Sequence, residues 1–118
     1  MLPEDLLNLL SRVEESGSCK CDFELYRSWK DLNSVDVKTF ELVGSLADGD
    51  YVKVSSAKAF SGNYWDQDHP IALKYYPQIE STIYRCRICK RLFLFYTEVS
   101  GHVPINRFRW IRSEIVNY

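Results

Sequence analysis

The residues of this 118-residue chain whose types and spacing could do chemistry are four cysteines. They form two close pairs, Cys19-Lys20-Cys21 and Cys86-Arg87-Ile88-Cys89. A Cys-x-x-Cys turn can point two sulfurs at one ion, and a second pair beside it would complete a tetrahedral four-thiolate zinc site. Such a site has no open coordination position, so the zinc would be structural and not catalytic. The predicted ligands are Cys19, Cys21, Cys86 and Cys89.

Two other interpretations of the cysteines are open. They also fit reduced thiols without a metal, because Cys-x-Cys is a less usual ligand pair and the gap between the pairs is long. Lys90 stands where a knuckle of this kind often has a glycine with positive φ. A disulfide framework is less favoured, since the acidic, helical start of the chain is unlike an export signal and intracellular thiols stay reduced. We therefore expect a cytoplasmic protein.

Residues that could form another catalytic site are scarce. The two histidines, His69 and His102, are far apart, and each lies in a predicted loop or turn. There is no glycine-rich phosphate loop and no nucleophile elbow. A thiol-dependent enzyme that pairs Cys86 or Cys89 with a distant histidine is one hypothesis, although no base adjoins either cysteine in the sequence. We expect that the protein is not an enzyme.

The elements that must position the cysteines are predicted to form one domain, residues 1–118. The hydrophobic fraction of 46% is ample for a core, and no apolar run is long enough to span a bilayer, so we expect no membrane partner. Leucines at helical spacing, with Pro3 in the first turn and Ser16-Gly17 as a stop, predict an N-terminal helix over residues 3–15.

Strand patterns follow the helix. Two-residue periodicity predicts strands near residues 35–43 and 50–55, joined as a hairpin through the Asp48-Gly49 turn. Further strands are expected at 81–86, 92–96 and 107–112. The unbroken apolar run at 92–96 favours a central strand covered on both faces, whereas the last strand alternates apolar residues with arginines. The predicted class is α+β: an N-terminal helix with a mostly antiparallel sheet of five or six strands, including a zinc-knuckle hairpin.

Charge is distributed unevenly along the chain, although the net charge is only −1. Residues 1–80 contain 8 Lys/Arg and 14 Asp/Glu, whereas residues 81–118 contain 7 Lys/Arg and 2 Asp/Glu. One interpretation is an acidic surface from residues 31–68 that steers a basic partner. The other is two interleaved sets of charges that neutralise each other, because segments of a sequence need not form separate faces.

A series of different short motifs runs through the second half of the chain. They are Tyr64-Trp65, His69-Pro70-Ile71-Ala72, Tyr75-Tyr76-Pro77, Tyr84-Arg85-Cys86, Cys89, Phe93-Leu94, Tyr96-Thr97-Glu98, Gly101-His102 and Arg107-Phe108-Arg109. Over a little under half of the chain, this series resembles small bacterial immunity proteins encoded beside polymorphic toxins, including those of contact-dependent growth inhibition systems. The resemblance implies an antidote that binds one cognate toxin domain, often a nuclease, and blocks its active site.

An acidic surface with aromatic residues is compatible with such an antidote, because nuclease active sites bind phosphates and are basic. Aromatic residues supply anchoring contact area in protein interfaces. The residues predicted for the toxin surface are Asp48, Asp50, Tyr64, Trp65, Asp66 and Asp68. The alternative function is a zinc-ribbon-like nucleic-acid-binding module that uses Lys90, Arg91, Arg107 and Arg109. Since the sequence pI of about 6.1 is low for such a module, we expect no nucleic-acid partner.

Overall fold

A five-stranded antiparallel sheet forms the centre of the fold in a computed structural model that describes residues 1–13, 17–46, 52–98 and 103–117. The strands are β1 (Lys30–Asp31), β2 (Phe40–Ser45), β3 (Val52–Ser55), β4 (Ile71–Ala72), β5 (Tyr75–Tyr76), β6 (Thr82–Cys86), β7 (Leu92–Glu98), β8 (Ile105–Trp110) and β9 (Val116–Asn117). The order in the main sheet is β1-β8-β7-β6-β2. Two short parallel pairs, β3 with β5 and β4 with β9, lie outside it. The predicted α+β class, with an N-terminal helix and a mostly antiparallel sheet, is confirmed.

The N-terminal helix α1 (Pro3–Leu10) is shorter than the predicted span of residues 3–15. It begins at Pro3, and the Asp5 carboxylate accepts a hydrogen bond from the Leu2 backbone N–H at 2.9 Å. Beyond its end at Leu10 the turn tightens, because the N–H groups of Arg12 and Val13 bond three residues back. The Ser11 hydroxyl also donates to the Asn8 carbonyl at 2.7 Å.

The other helical elements are short. They are α2 (Ser56–Ala59) and three single-turn 3₁₀ helices, Phe23–Tyr26, Gln78–Glu80 and Ser113–Ile115. Within the described ranges, no helix combines the length and the apolar character that crossing a bilayer requires.

Both faces of the central strand β7 are covered, as its apolar run predicts. Leu92, Leu94 and Tyr96 join one hydrophobic cluster, which also contains Leu6 and Leu10 of α1. Phe93 joins a second cluster on the opposite face, and the half-buried Phe95 packs against it. We call these clusters the helix-side core and the cysteine-side core, because Cys21 and Cys86 belong to the second one.

The predicted hairpin between residues 35–43 and 50–55 is wrong. β2 pairs with β6, so that Phe40 lies opposite Cys86, and β3 pairs in parallel with β5. The first predicted strand also begins late. The Asp36 carboxylate accepts hydrogen bonds from the Lys38 backbone N–H at 3.0 Å and the Thr39 hydroxyl at 2.9 Å, which holds a turn before Phe40. The Asp48-Gly49 turn lies outside the described residues.

Candidate metal centre and partner surface

The four cysteine sulfurs lie together at one end of the cysteine-side core. Cys19 Sγ is 3.7 Å from Cys86 Sγ, Cys21 Sγ is 3.7 Å from Cys89 Sγ, and all four atoms lie within 4.8 Å of one another. Zinc–sulfur bonds of about 2.3 Å in a tetrahedron place sulfurs about 3.8 Å apart. The sulfur positions therefore fit a single four-coordinate ion. The predicted convergence of the two pairs is confirmed, and among the described residues this is the one group of three or more potential ligands.

The second cysteine pair sits in the hairpin turn between β6 and β7. The Cys86 backbone N–H donates to the Arg91 carbonyl at 2.9 Å, and the Lys90 N–H donates to the Cys86 carbonyl at 3.0 Å. Lys90 has φ of 66°, so it adopts the left-handed conformation that a glycine often supplies in such turns. The sequence departs from the usual knuckle in residue type, but the backbone geometry is that of a knuckle.

The first cysteine pair is anchored by the aromatic residue that follows it. Asp22 has φ of 57°, which turns the chain after Cys21 into the 3₁₀ helix Phe23–Tyr26. The buried Phe23 ring packs edge-on against Trp110 of β8, with centroids 4.8 Å apart. This contact fixes the first cysteine pair against the sheet, beside the second pair. Each pair is followed directly by a residue in the left-handed conformation, Asp22 after the first and Lys90 after the second.

The thiols differ in their electrostatic surroundings. Burial raises the pKa of Cys21, and its interactions with Cys89 add to that effect. Burial also raises the pKa of Cys86, against the opposing effect of the backbone N–H groups of Cys89 and Ile88. Although burial acts in the same upward direction at Cys89, the backbone N–H and guanidinium of Arg91 lower the pKa of that thiol to about 7. One thiol of the cluster therefore ionises near neutral pH, and thiolate is the form that binds metal.

Four of the residues predicted for the partner surface lie in the loop between α2 and β4. Trp65 is 43% exposed, and Asp66 and Asp68 are exposed beside it. Local hydrogen bonds shape this loop: the Asn63 side chain accepts from the Trp65 N–H at 3.0 Å, and the Asp66 carboxylate accepts from the Asp68 N–H at 3.1 Å. Tyr64 is more buried and packs against the helix-side core.

The other two residues predicted for the partner surface, Asp48 and Asp50, lie outside the described residues. Of the two histidines weighed for catalysis, His102 also lies outside them. His69, the other histidine, is buried and contacts the rings of Phe60 and Tyr64. Burial lowers its pKa, and the nearby charge of Arg109 adds to this effect.

A pocket that sequence reasoning missed adjoins Trp65. Its volume is about 250 Å³, and its lining comprises Ala57, Tyr64, Trp65, Tyr76, Pro77, Tyr96 and Glu98. At one side the Arg107 guanidinium lies over the Trp65 ring, 4.8 Å from its centroid, and donates to Glu98 at 3.0 Å. The Tyr76-Pro77 motif was the one signal for this pocket in the sequence, but its contact with Tyr96 depends on the pairing of segments that are distant in the sequence.

The arginines of β8 and its C-terminal extension do not form an exposed basic face. Arg109 is 0% exposed and donates to the carbonyls of Arg27 at 3.3 Å, Gln67 at 3.2 Å and His69 at 2.6 Å. Burial lowers the pKa of Arg109 to about 10. Arg112 is also buried and donates to the Gln67 carbonyl. These two side chains therefore hold the loop that carries Trp65 in place.

The other residues of the predicted basic set are also dispersed. Arg91 is 1% exposed and lies in the interior, whereas Lys90 is exposed at the hairpin. Arg107 is half-buried and forms ion pairs with Asp31 and Glu98. The four residues of this set do not share one solvent-facing surface.

Fold and site together define an α+β domain with a closed cluster of four cysteines that could hold a metal ion. No protein-family model, curated protein or solved structure matches this chain in the comparisons.

Proposed function

We propose that this chain is a zinc-stabilised binding protein that acts as the immunity protein of a toxin. The observation that carries the zinc assignment is the fit of four cysteine sulfurs, all within 4.8 Å of one another, to one tetrahedral ion. Four thiolates fill the coordination shell, so the metal holds segments together and presents no position to a substrate. The segments it joins are the stretch around Cys19 and Cys21 and the hairpin that carries Cys86 and Cys89.

The exposed loop around Trp65 supports the binding function. A large aromatic side chain with 43% exposure lies beside two exposed carboxylates and a pocket of about 250 Å³. Arg109 and Arg112 bind the backbone carbonyls of the same loop from inside. A loop held in this way loses little conformational entropy on binding, which favours affinity. Aromatic anchors in preorganised surfaces commonly dominate interface energetics.

The partner in this proposal is a basic toxin domain, as the resemblance to immunity proteins implies. A nuclease must attract phosphates, so its active site presents positive charge. Asp66 and Asp68 can attract that charge and speed association. Asp68 lies 3.6 Å from Arg112 but remains exposed, so the pairing leaves it accessible to solvent and to a partner.

The nucleic-acid alternative has less support from the side-chain positions. Phosphate binding needs accessible cations, whereas Arg91 and Arg109 are buried and Arg107 is paired with two carboxylates. Lys90 alone of that set is solvent-exposed. We therefore favour a protein partner.

The zinc assignment is tested by elemental analysis of freshly purified, reduced protein. We expect about one equivalent of zinc per chain, which a strong chelator removes with loss of folding free energy. A variant with Cys86→Ser and Cys89→Ser should retain no stoichiometric zinc. Absence of any metal in the wild-type protein would refute the assignment.

The binding assignment is tested by association kinetics with the product of the adjacent upstream gene. Reversal of both carboxylates, Asp66→Lys with Asp68→Lys, should slow association about tenfold or more at low salt, and added salt should narrow the difference. Trp65→Ala should instead speed dissociation. Glu4→Lys, which reverses an exposed carboxylate on α1, serves as the control. Unchanged kinetics for the double reversal would place the interface on another surface, and no binding at all would remove the immunity assignment.

A further inference from the structure

Arg91 lies in the interior between the two cysteine pairs. It is 1% exposed and follows Cys89 by two residues. Its guanidinium carbon is 3.6 Å from the centroid of the Phe23 ring and 5.4 Å from that of Trp110. Its Nη2 donates to the Gly17 carbonyl at 3.1 Å. Gly17 and Phe23 flank the first cysteine pair, so one side chain of the hairpin contacts the other segment on both sides of its ligands.

The charge of Arg91 matches what a four-thiolate zinc site needs. Four thiolates around a divalent ion leave two net negative charges, and an uncompensated buried charge is costly. A guanidinium beside the cluster offsets part of that charge, while its planar form allows it to stack on Phe23.

We propose that Arg91 is a positioning residue of the zinc site, which offsets the charge of the thiolates and holds the Gly17–Phe23 segment against the hairpin. The inference rests on the proposed zinc site and deepens it. Residues that orient or neutralise metal ligands typically change metal affinity by about 10- to 100-fold when they are replaced. Arg91 should act in this range.

The test compares zinc affinity in chelator competition for wild type, Arg91→Gln, Arg91→Lys and Arg87→Gln. We expect Arg91→Gln to weaken zinc binding by about 10- to 100-fold. Arg91→Lys keeps the charge but not the planar stack, so we expect a smaller loss of about three- to tenfold. Arg87 is the matched control, since it lies in the same hairpin but is exposed and pairs with Glu41. Its replacement should leave zinc affinity within about twofold of wild type.

A second readout separates a role in metal binding from a general role in packing. Cobalt-substituted Arg91→Gln should keep the absorption spectrum of a tetrahedral four-thiolate site, with weaker cobalt affinity. Its loss of stability should be larger in metal-loaded than in metal-free protein, because the coupling between Arg91 and the metal is reciprocal. Equal losses in both forms, or zinc affinity within about twofold of wild type for Arg91→Gln, would overturn the inference. If Arg91→Gln does not fold, the same two comparisons, of zinc affinity and of the stability losses in metal-loaded and metal-free protein, are made with Arg91→Lys.

The two proposals fail differently. A wild-type protein that binds no zinc refutes the zinc site itself. A wild-type protein that binds zinc with an affinity independent of Arg91 refutes only the positioning role.

Discussion

Replacement of Phe93 by alanine tests the central claim about the fold, that β7 is buried on both faces. Phe93 is 0% exposed in the middle of the cysteine-side core. Its ring stacks on Phe108 with centroids 4.9 Å apart and an interplanar angle of 6°. Phe40 and Tyr26 meet the ring edge-on, at 5.1 Å and 6.1 Å between centroids.

The expected loss follows from these contacts. Truncation of a buried phenylalanine costs about 3–5 kcal/mol, and the cost is highest where neighbours cannot move into the space. Phe108 and Phe40 sit on strands held by backbone hydrogen bonds, so the cavity should collapse little. Loss of favourable ring pairs adds to the effect, at about 0.5–1.5 kcal/mol for each pair. We therefore expect Phe93→Ala to cost about 4–5 kcal/mol, in the upper part of the range.

The assay is denaturant unfolding at a fixed free zinc concentration, with Phe95→Ala as the control. Phe95 lies on the same face of the same strand but is only half-buried, and its closest ring neighbour is Tyr84 at 5.9 Å. Its truncation should cost about 1–2 kcal/mol. A loss below about 1 kcal/mol for Phe93→Ala, or equal losses for the two variants, would show that the core is misplaced.

Three further predictions concern the knuckle, the thiols and the buried histidine. Lys90→Gly should raise the free energy of unfolding by about 0.5–1 kcal/mol, because glycine relieves the strain of the left-handed conformation and loses part of that gain to the greater entropy of the unfolded chain. A lower free energy of unfolding in urea titration would contradict this. Mild oxidation of metal-free, folded protein with diamide should join sulfurs that already lie 3.7 Å apart, so peptide mapping should find the bridges Cys19–Cys86 and Cys21–Cys89. Recovery of neither bridge would contradict the sulfur positions. The pKa of His69 in the folded protein is lowered from its ordinary value of 6.5, so the unfolded chain takes up a proton first as pH falls below about 6.5. The free energy of unfolding should therefore decrease, by up to about 1.4 kcal/mol per pH unit, until the lowered pKa is reached. Unfolding curves between pH 7.5 and 5.5 should show this decrease in wild type and a smaller one in His69→Gln, and equal slopes would refute it.

Local patterns predict the segments that depend on their own residues. The unbroken apolar run of β7 predicts a strand covered on both faces. The Cys86-Arg87-Ile88-Cys89 motif predicts a tight turn between two strands. The start of α1 follows from Pro3, but its early end does not, because Ser11 forms a local hydrogen bond whose competition with the helix is hard to weigh from sequence alone. Pairing of β2 with β6 was missed for a related reason, since a strong turn signal at residues 48–49 favours a local hairpin over a long-range partner.

The sequence by itself determined the class of fold, the hairpin around the second cysteine pair and the choice of four cysteines as candidate metal ligands, because each depends on residue type and short-range spacing. Only the tertiary structure decided how the first pair comes to lie 3.7 Å from the second, since that distance depends on Phe23 packing against Trp110 across 87 positions of sequence. The tertiary structure also decided whether the β8 arginines lie at the surface or in the interior. An alternating arginine is equally compatible with a solvated face and with an interior site. Arg109 is interior, where the carbonyls of Arg27, Gln67 and His69 accept hydrogen bonds from its Nε and Nη2.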